Sequence, residues 1–173
     1  PLGEEESTAI CVFDLNNLRI INNNLGHDKG DEYIRSFAEQ LRLAVDPENF
    51  VGRDGGDEFI AIFQKTDHSK MRETLKKIRT QMENYSAKHP EMPISYAAGY
   101  AISLDFAGFT LGELFRLADK NMYVDKNRAK IEEAAQKQQK AYELLEWIKK
   151  EKYHFSDCLY CDALMDQYAI LRS

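Results

Sequence analysis

The chain reads as an α/β (α+β) sandwich, a mostly antiparallel central sheet flanked by helices, and three observations predict it. Apolar runs at Ala9 to Phe13, Phe50-Val51, Phe59 to Phe63 and Ile94 to Ile102 are too short for independent helices and suit buried strands. Between them lie segments with apolar residues at helical spacing: Tyr33, Ile34, Phe37, Leu41 and Val45, then Met71, Leu75, Ile78 and Met82, then Leu114, Leu117, Ala118, Met122 and Tyr123. A glycine-bearing break, Asp54-Gly55-Gly56-Asp57, joins the second and third runs as a β-hairpin, and hairpins make antiparallel pairs. Strands that alternate with amphipathic helices bury both apolar surfaces by packing helices on the sheet.

A length of 173 residues suits one domain with an appendage. The formal charge of −6 argues against a nucleic acid polymer as partner, because a surface that grips backbone phosphates is basic. Nothing approaches a membrane-spanning length and no signal peptide is evident, so no membrane contact is expected from this segment. Three cysteines make no disulfide framework and suit a reducing cytoplasm. Residues 1–7 read as a tag remnant or a disordered lead.

In chain order, the first strand ends at Asp14, and an Asn-rich stretch leads through Gly26-His27-Asp28-Lys29-Gly30 into a helix from about Asp31 to Ala44, stopped by Pro47. In the hairpin, Gly55 and Gly56 can take positive φ and leave backbone N–H groups open to a phosphate. The plain alternative is an Asp-Gly turn with solvated acids. A helix over Ser69 to His89 ends at Pro90 and Pro93, the strand to Ile102 follows, and Leu111 to Lys130 is helical. Residues 132–173 read as a helical hairpin extension, Ile131 to Tyr153 and Ser156 to Leu171. His154, Cys158 and Cys161 share a face there and read as core residues more than metal ligands.

If the first strand neighbours the hairpin, Asp14 faces Asp57 and Glu58. Two carboxylates about 4 Å apart repel by roughly 4 kcal/mol at an effective dielectric near 20, so something must neutralise them. Protonation is one route. A hard divalent cation held by carboxylate and phosphate oxygens, Mg²⁺ or Mn²⁺, is the better fit.

Arg53-Asp54-Gly55-Gly56-Asp57-Glu58-Phe59 resembles the defining motif of the GGDEF family, the diguanylate cyclases. Phe13-Asp14-Leu15 through His27-Asp28-Lys29-Gly30-Asp31 is similar to that family's first strand, loop and helix start, and Ala118-Asp119-Lys120-Asn121-Met122-Tyr123 to its last helix, so the resemblance covers residues 8–131. It implies a ferredoxin-like, nucleotide-cyclase-like fold and condensation of two GTP to cyclic di-GMP and pyrophosphate at a homodimer interface. It also implies two Mg²⁺ (or Mn²⁺) per site, held by Asp14, the Leu15 carbonyl, Asp57 and Glu58. Asp57, Glu58 and Arg19 take catalytic roles by the same resemblance. Asn22, His27, Asp31, Gly55, Gly56, Lys126 and Lys130 bind substrate. On the residues alone, Asn22 and Asp31 read as loop and cap residues; the resemblance makes them readers of the guanine edge, to which an amide and a carboxylate are suited.

Departures from the family pattern are Asn16 for an acid, Asn17 for an aromatic, Lys130 for an arginine, and no helix ahead of the first strand. Asp46 and Asn49 replace the Arg-x-x-Asp of the product-inhibition site, which implies no inhibition there. An upstream sensor domain is expected in the full-length protein. The rival reading is a catalytically silent GTP-binding regulatory module.

Overall fold

The computed structural model describes residues 7–106 and 108–150. The chain divides into two compact units, Pro1–Ala129 and Lys130–Ser173. In the first, β1 (Thr8–Leu15), α1 (Leu18–Leu25), α2 (His27–Ala44), β2 (Phe50–Gly55), β3 (Glu58–Gln64), α3 (His68–Lys88) and β4 (Tyr96–Ile102) precede the start of α4 (Leu111–Lys150). The strands form one sheet in the order β2-β3-β1-β4, with every neighbouring pair antiparallel. The expected sandwich is therefore the observed one.

Alternation along the strands assigns the two faces. Cys11, Phe13, Leu15, Phe59, Ala61 and Phe63 share one core with Tyr33, Phe37 and Leu41 of α2 and Met71, Ile78 and Met82 of α3. Ile10, Val12, Ala97 and Ala101 face the other way, against Leu114, Ala118 and Met122 of α4. The small residues on that face of β4 let α4 come close. At Gly99 an added Cβ would lie 1.9 Å from the Met122 nitrogen and 2.6 Å from the Ala118 oxygen. The outer edge of β4 is covered by α4 side chains one turn apart: the Asn121 amide donates to the Tyr100 carbonyl at 2.9 Å, and Asp125 accepts from the Ala98 N–H at 3.0 Å.

Four local expectations need correction. The Asn-rich stretch is helix α1, because Leu18 and Ile21 dock on the larger core and tertiary packing overrides three weak helix formers. The next helix begins at His27, ahead of Asp31. Tyr123 is 61% exposed instead of facing in, since Ala118 and Met122 already fill the contact. The last helix does not stop at Lys130 but runs to Lys150, and Ile131 on it is exposed. In the second unit a Lys137–Glu133 ion pair at 2.7 Å supports the helix one turn apart. The second arm of the expected helical hairpin, with His154, Cys158 and Cys161, lies outside the described residues.

Candidate active site

The site is built where β1 leaves the sheet. Asp14 pairs in register with Glu58 of β3, so both side chains rise on the α4 face. The hairpin turns through Gly56 and Asp57, with Gly55 at φ 113° and Gly56 at φ 51°, a backbone that side-chain-bearing residues rarely adopt. Arg53 clamps this turn, donating from Nε and Nη2 to the Gly56 carbonyl at 3.0 and 2.7 Å. The Asp57 carbonyl in turn accepts from the Leu15 N–H at 2.9 Å, tying the hairpin tip to the end of β1. Asp14, Leu15, Asp57 and Glu58 are thus brought together as the sequence suggests.

The other side of the strand exit is pinned as firmly. The Asn16 N–H donates to the Ser95 carbonyl and its side-chain amide to the Ser95 hydroxyl, while the Tyr33 hydroxyl accepts from the Ser95 N–H. Asn17 follows at φ 68°, a left-handed conformation that asparagine tolerates better than an aromatic residue. Both asparagines have local structural work that accounts for them.

Lys126 crosses from α4 to place its ammonium 2.6 Å from Asp14 Oδ2. Asp14 Oδ1 is buried and, among the described residues, is the one buried side-chain polar atom without a hydrogen-bond partner. A buried carboxylate oxygen left open is costly unless a cation or donor completes it. Among the described residues no three His, Cys, Asp or Glu side chains converge as a metal cage. The donor chemistry still fits a hard divalent ion, because Mg²⁺ is characteristically held by one or two carboxylates and completed by substrate phosphates and water.

Burial raises the Glu58 carboxyl above the ordinary glutamate value, with further contributions from Asp14, Asp119, Asp57 and Asp54. Asp119 was not singled out in the sequence; its seven-residue spacing from Lys126 on one helix is the signal that places both on one face. A carboxyl whose folded-state pKa is raised costs stability when ionised. That cost is absent below its unfolded pKa and complete above its folded one. Glu58→Gln is therefore expected to stabilise the metal-free protein at pH 7 by roughly 0.5–1 kcal/mol, with the difference closing as pH falls through the carboxylate range. Thermal denaturation of both proteins between pH 4 and 8 checks this.

The remaining predicted residues lie on the helices, most of them at the surface. Asn22 is half-buried on α1, and its side chain rests against Gly30 of α2; Asp31 follows, exposed. Arg19 and His27 are exposed on α1 and at the start of α2. Lys130 is exposed and is the first residue of the second unit. A separate cavity of about 420 Å³ between α3 and the start of β4, lined by Arg79, Glu83, Tyr96 and Asp125 among others, does not include the acids.

Comparison with known proteins identifies the family and the fold. Residues 2–132 match the family described as "Diguanylate cyclase, GGDEF domain". A diguanylate cyclase of Vibrio cholerae is 27% identical over 124 residues, covering 69% of this chain and 37% of that protein. The signaling protein YkoW of Bacillus subtilis is 32% identical over 127 residues, covering 72% of this chain and 16% of that one. The chain thus spans well under half the length of these relatives. Among solved structures, the active GGEEF domain of a diguanylate cyclase from Vibrio cholerae superposes with a TM-score of 0.62 at 27% identity, covering 71% of this chain and 78% of that one. The GGDEF domain of DgcB from Caulobacter crescentus, solved with c-di-GMP, gives 0.61 at 26% identity, covering 70% and 72%. Among the described residues no helix is long and apolar enough to cross a membrane. With the match spanning most of the chain and the acids gathered where the glycine turn meets the first strand, this chain belongs to the GGDEF family of diguanylate cyclase domains.

Proposed function

We propose that this domain is a diguanylate cyclase, condensing two GTP into cyclic di-GMP with release of pyrophosphate. The observation that supports the reading is the facing of Asp14 and Glu58 across β1 and β3, with Asp14 Oδ1 buried and open. Asp14, the Leu15 carbonyl, Asp57 and Glu58 would hold Mg²⁺ or Mn²⁺, two ions per site. Once bound, such ions neutralise charge on phosphoryl oxygens and lower the pKa of a coordinated hydroxyl.

The chain's own residues supply the rest. Asn22 and Asp31, with His27 nearby, read the guanine edge. The Gly55-Gly56 backbone lets the triphosphate approach, and Arg19 and Lys126 offset its charge. Lys126 would move from Asp14 to the phosphates as substrate enters. The 3′-oxygen of one GTP attacks the α-phosphorus of the other, forming a P–O bond as pyrophosphate leaves. Asp57 or Glu58 assists in taking the hydroxyl proton. A second, reciprocal attack closes the ring.

Each half-site would carry one nucleotide, so turnover requires a homodimer. An upstream sensor domain would bring the halves together in the cytoplasm. Asp46 and Asn49 would leave the product without an inhibitory site at that position.

Incubating the protein with GTP and Mg²⁺ and assaying cyclic di-GMP by mass spectrometry tests the reading. Product is expected from the parent and none above background from Asp57→Ala. GTP binding without product would instead support a silent regulatory module.

A further inference from the structure

We infer that Gly30 is a positioning residue for the Asn22 amide, and through it a determinant of selectivity for guanine over adenine. The inference rests on the base-reading role proposed above for Asn22.

Gly30 lies buried at the end of the first turn of α2, where glycine is a poor helix former. It is not among the residues with positive φ, so no unusual backbone conformation asks for glycine there. Space does. A Cβ at this position would stand 1.8 Å from Asn22 Oδ1, 2.8 Å from its Cγ and 3.4 Å from its Nδ2. The Oδ1 end of the Asn22 amide therefore points into the space beside Gly30 that the Cβ of any other residue would fill.

The backbone around this contact is a single hydrogen-bonded unit. The Gly26 N–H donates to the Asn22 carbonyl at 3.1 Å, and the Gly30 N–H donates to the Gly26 carbonyl at 3.2 Å. With the main chain of Asn22 held this way, what Gly30 controls is the side-chain torsion. The next residue in sequence is Asp31, the other base-reading candidate, so the Asn22 amide rests against the residue that immediately precedes it. Guanine offers N1–H and an amine as donors and O6 as acceptor, and adenine offers a different set. An amide turned out of place loses the discrimination that such matched groups give.

The obstruction is the end of a flexible side chain, not backbone. Alanine at position 30 should therefore leave the helix intact, or firmer, while evicting the amide. That separates positioning from packing. Gly30→Ala, Asn22→Ala and the double variant are compared with the parent in the full chain, by thermal denaturation and by calorimetric titration with GTP and with ATP in Mg²⁺.

The expected result is a melting temperature of Gly30→Ala at or above the parent's. Its GTP affinity should fall about tenfold or more, the scale of one lost polar contact, and its GTP-to-ATP ratio should match that of Asn22→Ala. The double variant should be within about twofold of either single one, because both remove the same interaction. Gly30→Ala binding GTP like the parent while Asn22→Ala is weakened overturns the positioning role and leaves base reading standing. Asn22→Ala binding GTP like the parent overturns both. A fall in melting temperature for Gly30→Ala that Asn22→Ala does not relieve also overturns it, since the glycine would then serve packing alone.

Discussion

Asp14→Ala is expected to abolish cyclic di-GMP formation, on the order of 10³-fold or more, while leaving the fold in place. The activity loss follows because this carboxylate is the deepest oxygen donor at the strand exit, and metal-assisted charge stabilisation is worth several kcal/mol in phosphoryl chemistry. The stability effect should be small for two reasons that oppose each other. Lys126 loses its partner, but its side chain is 28% exposed and can swing into water. Glu58 meanwhile loses the like charge that faces it. The net change in the metal-free protein should be within about 1 kcal/mol. A structural ion pair would behave otherwise: removing one partner of a buried pair costs about 3–5 kcal/mol and need not touch nucleotide binding. Thermal denaturation beside calorimetric titration with Mg²⁺ and GTP distinguishes the two outcomes.

Gly99→Ala is expected to do the reverse, damaging the fold first and the site as a consequence. The Cβ it adds would meet the Met122 nitrogen, the Asn121 carbonyl carbon and the Ala118 oxygen at 1.9, 2.4 and 2.6 Å, all backbone atoms that cannot rotate aside. Relief requires α4 to lift from β4, stretching the Asn121 and Asp125 bonds to the sheet edge and carrying Lys126 away from Asp14. A cost of about 3 kcal/mol corresponds to a fall in melting temperature of roughly 6–12 °C for a chain of this size. A fall of under 2 °C would mean that α4 does not rest on Gly99 as described. The contrast with Gly30→Ala is informative: both are buried glycines facing a close neighbour, and only the nature of that neighbour, backbone or side-chain tip, separates the expected outcomes.

Much of the fold was legible in the residues because each strand and helix carries its own period. Phe13 and Leu15 alternate with Val12 and Asp14, and Tyr33, Phe37 and Leu41 repeat at helical spacing, so the elements and their buried faces could be read without tertiary information. The acids could be gathered for a similar reason: a strand ending in Asp14 and a hairpin opening on Asp57-Glu58 meet if the strands are neighbours, which they are. Helix α1 was not legible, since three asparagines in eight residues have no helical preference of their own and Leu18 and Ile21 supply the reason only once the core exists. The Lys126–Asp14 pair spans 112 positions, and the Asn22–Gly30 contact depends on how two short helices turn about Gly26. Asp119 escaped notice because its influence on Glu58 reaches across from another element.

The proposed cyclase activity requires a divalent ion seated between Asp14 and the hairpin acids together with a nucleoside triphosphate. Crystals grown with Mn²⁺ and a non-reactive GTP analogue, measured at the manganese absorption edge, test it directly. An anomalous peak within coordination distance of Asp14 and of Asp57 or Glu58, with Lys126 turned to the phosphates, is the expected result. A peak elsewhere, or nucleotide bound with Lys126 still on Asp14, would contradict it.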